Sequence, residues 1–335
     1  MLARDLSVDG QRWPKGRRLS AADLDRLASS SPGAVEPDGE VTVLVLGRGD
    51  LHEDDAALRL ADVIAGRGLR RRGPSQSRVD LLAAHDGVLH VRATLLERIN
   101  RLDPIEVFSA FDGSIVSAGD LVASVKIAPH AVDRSIVVRA ERLVGAGRRR
   151  RPVVDVAPFV ARRVAVIVKE SVRAPARERF ERSVRDKVES LGSTVVSIEY
   201  VPDEGAAVEG ALARAARGRD AADLVLTAGG GSTDPADAFF VAIERLGGRI
   251  VRRGVPAHPG SMLWLGRIGR TGVLGLPTCG AYSKATAADL LLPRLLAGEP
   301  VSPRTVAKLG HGGILTRDQR FRFPRYAREL DAPEG

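Results

Sequence analysis

Short continuous apolar runs alternate with amphipathic segments through the second half of the chain. Val164-Ala165-Val166-Ile167-Val168 is unbroken by polar residues, as in a strand covered on both faces. Pro175 to Leu191 follows with Phe180, Val184, Val188 and Leu191 at helical spacing, and Gly192 is a helix stop. Thr194 to Tyr200 is β-branched and strand-like. Asp203 to Ala216 places Val208, Leu212 and Ala215 on one helical face, Leu224 to Thr227 is a third strand, and Ala236 to Leu246 is a helix ending at Gly247-Gly248. This rhythm predicts an α/β fold with a doubly wound, mostly parallel sheet, whose ligands bind beyond the carboxyl ends of the strands. The pattern then changes. Met262-Leu263-Trp264-Leu265 and Val273-Leu274-Gly275-Leu276 flank Gly269-Arg270-Thr271-Gly272 and predict a hairpin. Lys284 to Ala297 predicts a helix that Pro293 kinks or shortens. Beyond Gly298 the chain is Arg-rich and reads as irregular.

The first half predicts a mixed α+β module. Val41 to Leu46 is a strong strand pattern and Glu53 to Ala65 a helix. Asp80 to Ala84, Val88 to Val91 and Ser114 to Ile127 suggest short strands. Val132, Ile136, Ala140 and Leu143 form a helical stripe. Gly145-Ala146-Gly147 followed by Arg148 to Arg151 and Pro152 marks a linker, since glycines and a charge block make a poor core. The expected divisions are an N-terminal module over 1–147, a basic linker over 148–161, an α/β domain over 162–300 and a tail over 301–335.

Composition narrows the function classes. The net charge of +9 suits an anionic partner, but aromatics are only 4% and no basic strand interleaves them, so nucleic acid is not expected. One cysteine, Cys279, allows neither a disulfide framework nor a thiolate cluster. Met1 to Gly10 lacks the apolar core of a secretory leader, and no apolar run approaches the roughly 18–20 residues of a membrane span. The expectation is a cytoplasmic protein with no membrane partner.

The candidate chemistry concentrates after the third strand, in Thr227-Ala228-Gly229-Gly230-Gly231-Ser232-Thr233-Asp234-Pro235-Ala236-Asp237. Glycines let backbone N–H groups at a helix start approach an anion, and Ser232 or Thr233 adds a hydroxyl donor. The purely structural reading is a capped helix, with Thr233 or Asp234 as N-cap and Pro235 just inside it; both can hold together.

These residues carry a resemblance. The segment from about Arg162 to Gly298 resembles the molybdopterin-binding domain shared by molybdopterin adenylyltransferases and molybdotransferases. Thr227, Gly229, Gly230, Ser232 and Asp237 match that family's glycine loop and aspartate spacing. Gly275-Leu276-Pro277-Thr278-Cys279-Gly280 falls where its second, Pro-Gly-rich loop stands, although Thr278-Cys279-Gly280 replace the usual residues after Pro277 and the second proline is missing. Val255-Pro256-Ala257-His258-Pro259-Gly260 resembles the loop before the hairpin. With Asp50 to Ala56, Ser77 to Leu81 and Val122 to Pro129, the chain looks like a narrower group, often fused to a nucleotidyltransferase that acts on the molybdenum cofactor. No Gly-rich, Lys-containing nucleotide motif follows Gly298.

The resemblance implies molybdopterin, or its nucleotide or metal form, as ligand. Thr227, Gly229, Gly230, Gly231, Ser232 and Thr233 would line one side, and Pro277, Thr278, Cys279, Gly280, Ser283 and Lys284 the other. Asp237 is the candidate catalytic carboxylate and Mg²⁺ ligand. An enzyme of this kind would transfer a nucleotidyl group or molybdenum. The alternatives are a scaffold docking a separate nucleotidyltransferase or molybdoenzyme, and a Mg²⁺-dependent pyrophosphate hydrolase. Relatives imply a homo-oligomer. Lys284 reads equally as a phosphate partner or an exposed lysine, and Cys279 as a nucleophile, a metal–pterin contact or, with no neighbouring base visible, a small buried side chain. No histidine pair has metal spacing. His258 faces either a ligand or solvent. His52-Glu53-Asp54-Asp55 reads as a helix start rather than a metal cluster, Arg70-Arg71-Arg72 as a solvated run, and Gly47-Arg48-Gly49-Asp50 as a weak phosphate turn.

Overall fold

The computed structural model describes residues 1–31, 34–36, 41–147, 150–169, 174–229, 233–276, 285–300 and 302–328. The chain divides into two compact units. The first comprises Met1–His85, Leu89–Asp112 and Ser117–Val156; the second comprises Asp86–Val88, Gly113–Val116 and the chain from Ala157 onward.

One six-stranded sheet organises the second unit. Its strands are β1 (Arg163–Val168), β2 (Thr194–Tyr200), β3 (Leu224–Ala228), β4 (Arg249–Arg253), β5 (Trp264–Ile268) and β6 (Thr271–Leu276), in the order β2-β1-β3-β6-β5-β4. The first four in that order run parallel; β5 pairs antiparallel with both β6 and β4. The helices are α1 (Ala174–Glu189), α2 (Gly205–Ala216), α3 (Ala238–Arg245) and α4 (Ala288–Leu296). The apolar run of β1 explains itself in this setting, because alternate side chains leave the sheet on opposite faces. Val164, Val166 and Val168 pack into one core with Phe180, Val184 and Leu291. Ala165 and Ile167 pack into a second with Val208, Leu212, Phe239 and Ile243. The predicted hairpin is β5–β6, and β4 is an edge strand that the Arg-rich run Arg249–Arg253 concealed.

Two features of this unit go beyond the sequence pattern. The segment past Gly298, read as irregular, forms short helical turns, and Val306, Leu309, Leu315, Phe323 and Ala327 are buried in the same core as β1 and α1. It is joined to the Val255–Gly260 loop by backbone hydrogen bonds from His258 N–H to Gly313 O (2.7 Å) and from Leu315 N–H to His258 O (2.8 Å). The His258 side chain is exposed. The second feature is the fit of β6 under Trp264. The indole packs on Phe239 and Phe240, and a Cβ at Gly275 would lie 2.0 Å from it.

The first unit is α+β. A four-stranded antiparallel sheet runs in the order Leu69–Ser75, Arg78–Ala83, Leu121–Ile127, Ile105–Ser109. Helix Glu53–Ile64 packs on it and on helix Arg134–Val144. Its start resolves the His52–Asp55 cluster. His52 Nδ1 accepts the Asp54 N–H (3.1 Å), and Nε2 lies 2.8 Å from Gly16 O, so the imidazole is a buried helix cap. The phosphate turn at Gly47 is closed internally, by the Gly47 N–H on the Asp50 carboxylate at 2.8 Å. Arg70–Arg72 are exposed, on an edge strand, where charge discourages further pairing.

The Val41–Leu46 strand does not form. Its partner is the Met1–Ala3 end, through one Leu2–Val43 bridge and a few backbone bonds, and Val45 is 89% exposed. A β-prone pattern needs a second strand to satisfy its backbone, and the Met1–Ala3 segment supplies a single bridge. Elements missed in the sequence include Ala21–Ser29, Ala93–Asn100 and Ile105–Ser109. All three are short, and Ala21–Ser29 buries no residue, so periodicity carries little signal there.

The Gly275 contact gives a test. Gly275→Ala should cost about 1–3 kcal/mol by overpacking against the buried indole. Gly272→Ala, whose Cβ would meet Leu224 at an ordinary 3.4 Å, should change stability by no more than about 1 kcal/mol. Urea unfolding of both variants checks the difference.

Candidate functional site

Because β2, β1, β3 and β6 are parallel, the loops that follow them leave from one edge of the sheet. Three polar side chains meet there. Lys169 follows β1, Asp203 follows β2, and Asp237 follows β3 as the N-cap of α3. Asp237 Oδ1 accepts the Phe239 N–H at 2.9 Å, and its Oδ2 lies 3.0 Å from Lys169 Nζ. The same ammonium is 3.1 Å from Asp203 Oδ1 and 5.5 Å from the centre of the Phe239 ring. Lys169 and Asp237 are buried, whereas the Asp203 side chain is 64% exposed. The helix therefore begins at Asp237, not at Thr233 or Asp234. Asp234 instead closes the preceding turn on the Ala236 N–H, and Pro235 stands outside the helix.

Burial by itself would favour the neutral amine of Lys169. The hydrogen bonds and charges of Asp237 and Asp203 outweigh it and raise its pKa above the ordinary lysine value, so the group stays an ammonium. Sequence reasoning misses Lys169. Its signal is a lone lysine directly after a continuous apolar strand, at the edge where α/β sheets hold ligands.

Of the residues expected in the first loop, Thr227 is buried on β3, between Ile167 of β1 and Gly275 of β6 in register. Gly229 has φ +90, a left-handed conformation that favours glycine. Thr233 is exposed. Gly230, Gly231 and Ser232 lie outside the described residues. So do Pro277, Thr278, Cys279, Gly280, Ser283 and Lys284 of the second loop. The helix predicted from Lys284 begins at Ala288; Lys284 lies outside the described residues, and 285–287 are described but not helical.

The far flank of that second loop is firmly anchored. Asp289 is fully buried, ion-paired to Lys187 of α1, and accepts the Thr286 N–H at 2.9 Å, while Thr286 Oγ1 accepts the Ala288 N–H at 3.2 Å. These bonds hold the turn just before α4, whose N-cap is Ala287. The Ala287 N–H donates to Pro259 O at 2.9 Å, and a Cβ at Gly260 would lie 2.9 Å from the Ala287 nitrogen, so the Val255–Gly260 loop fits closely against the same point. Tyr326 has a buried hydroxyl, and its pKa is raised well above the usual value by burial and by the nearby Asp289 carboxylate.

No group of three or more His, Cys, Asp or Glu side chains among the described residues is arranged to hold a metal ion. Among them, too, no helix is long and apolar enough to cross a membrane.

The Lys169 pair makes a pH prediction. A lysine whose folded pKa is raised contributes stability that is whole below its unfolded value of 10.5 and is lost as pH rises through the folded value. Wild type should therefore lose stability above that pH more steeply than Lys169→Met, which should itself be about 3 kcal/mol less stable at neutral pH because it leaves Asp237 buried without its cation. Urea unfolding across the alkaline range checks both; parallel pH profiles would contradict the pairing.

Comparison with known proteins bears on this unit. Residues 164–297 match the family model described as a probable molybdopterin binding domain. No curated protein gives a match. Among solved structures, the molybdopterin biosynthesis enzyme MoaB from Thermus thermophilus is 25% identical, over 42% of this chain and 98% of that one, with a TM-score of 0.32. The molybdopterin biosynthesis MoeA protein from Pyrococcus horikosii is 16% identical over 78% of this chain and 81% of its own, with a TM-score of 0.30. The molybdopterin biosynthesis Mog protein from Mycobacterium ulcerans is 18% identical over 41% of this chain and 93% of its own, with a TM-score of 0.28. The family model covers less than half of the chain, within the second unit.

Proposed function

We propose that this protein binds molybdopterin, or its nucleotide or metal-bearing form, in the biosynthesis or handling of the molybdenum cofactor. The observation that carries this reading is the family match over residues 164–297, which spans the parallel sheet and the loops at its carboxyl edge. The ligand's anionic end lies against the turn from Thr227 to Asp237, with Gly229, Gly230, Gly231, Ser232 and Thr233 giving backbone and hydroxyl donors. The loop from Pro277 to Lys284 closes the other side, with Thr278, Cys279, Gly280 and Ser283 between.

Binding is better supported than turnover. Both oxygens of Asp237 already have partners, a helix N–H and the Lys169 ammonium, so the carboxylate is engaged in structure. A transfer reaction at this site would proceed by positioning and charge neutralisation rather than by a carboxylate base.

Calorimetric titration of the full chain with molybdopterin tests the reading. Binding in the micromolar range is expected, weakened about tenfold in Ser232→Ala through loss of a charge-assisted hydrogen bond. Undetectable binding at high micromolar ligand, in protein that unfolds cooperatively, would sink it.

A further inference from the structure

The Mg²⁺ expected at Asp237 does not fit the residues present. Mg²⁺ at such sites is held by one or two carboxylates together with phosphate oxygens and water. Here the two carboxylates that the sheet edge brings together, Asp237 and Asp203, converge on Lys169 Nζ, at 3.0 and 3.1 Å. The ammonium stands where a cation bridging those carboxylates would stand. It arrives on β1, the strand between the two that carry the carboxylates, so its position is set by the backbone of the sheet and not by a long flexible reach from the surface. Its stem is buried, and its charge is balanced on one side only by a largely exposed carboxylate.

We infer that Lys169 is the resident cation of this site, replacing a divalent metal and supplying the positive charge against which a phosphate-bearing ligand is held. An ammonium has three N–H donors, one more than the two carboxylates require, and it acts on phosphate as a compact point charge. The ligand half of this inference rests on the molybdopterin reading above; the metal half does not. The neighbouring strand ends at Ala228, whose carbonyl accepts the Lys169 backbone N–H at 2.9 Å, so Gly229 follows directly beside the lysine.

Two measurements test it. The first is titration of the full chain with Mn²⁺, followed by the electron paramagnetic resonance signal of the free ion. Wild type should leave Mn²⁺ free through the submillimolar range. Lys169→Met, which uncovers the carboxylate pair, should bind it at least about tenfold more tightly, as two carboxylates without a competing ammonium would. Submillimolar uptake by wild type that Asp237→Asn abolishes would overturn the inference, as would a folded Lys169→Met that gains no affinity. The wild-type arm needs no substitution and decides even if Lys169→Met fails to fold. The second measurement is molybdopterin binding to wild type in EDTA and in millimolar Mg²⁺. Equal affinity is expected, and a dependence on Mg²⁺ of about tenfold or more overturns the inference while leaving the ligand assignment standing. Absence of molybdopterin binding in both conditions overturns that assignment, and the Mn²⁺ titration still decides the role of Lys169.

Discussion

A buried ammonium must have an anion beside it, and this requirement governs the carboxyl edge of the parallel sheet. Lys169 cannot leave that edge, because its backbone continues β1 and its N–H donates to Ala228 O at 2.9 Å. The loops after β2 and β3 therefore have to bring carboxylates to it. Asp237 does so while capping α3, so one residue fixes where the helix starts and neutralises the charge at the strand end. Gly229, directly after β3, has a positive φ.

A second buried pair plays the matching part on the opposite flank. Lys187 and Asp289 tie α1 to the start of α4, and Thr286 and Asp289 exchange hydrogen bonds there, the Thr286 N–H donating to the Asp289 carboxylate and the Asp289 N–H to Thr286 O. The loop before the hairpin braces that point through Pro259, and the segment past Gly298 braces the loop in turn through His258. The two loops expected to face the ligand are thus each held at an end by a buried lysine–aspartate pair. Such pairs add little net stability compared with apolar packing, but breaking one is costly, which suits them to fixing position.

The strand and helix rhythm of the second unit was readable because burial on both faces of a sheet demands unbroken apolar strands, and Val164 to Val168 and Leu224 to Leu226 have that form. The hairpin at Gly269 was readable from its turn residues. Elements whose burial is one-sided or slight were not: Arg249–Arg253 and Leu69–Ser75 are edge strands rich in arginine, and Ala21–Ser29 has no buried residue. Val41 to Leu46 shows the converse. Its pattern is that of a strand, yet the fold gives it almost nothing to pair with.

Local periodicity within single segments was enough for the α/β layering, and the resemblance carried by Thr227 to Asp237 agrees with the family model that residues 164–297 match. What Asp237 touches could not be found that way. Lys169, Asp203 and Asp237 are far apart along the chain and lie in segments that look unrelated. They meet because parallel strands deliver their carboxyl ends to one edge, a consequence of crossover topology that no local window contains.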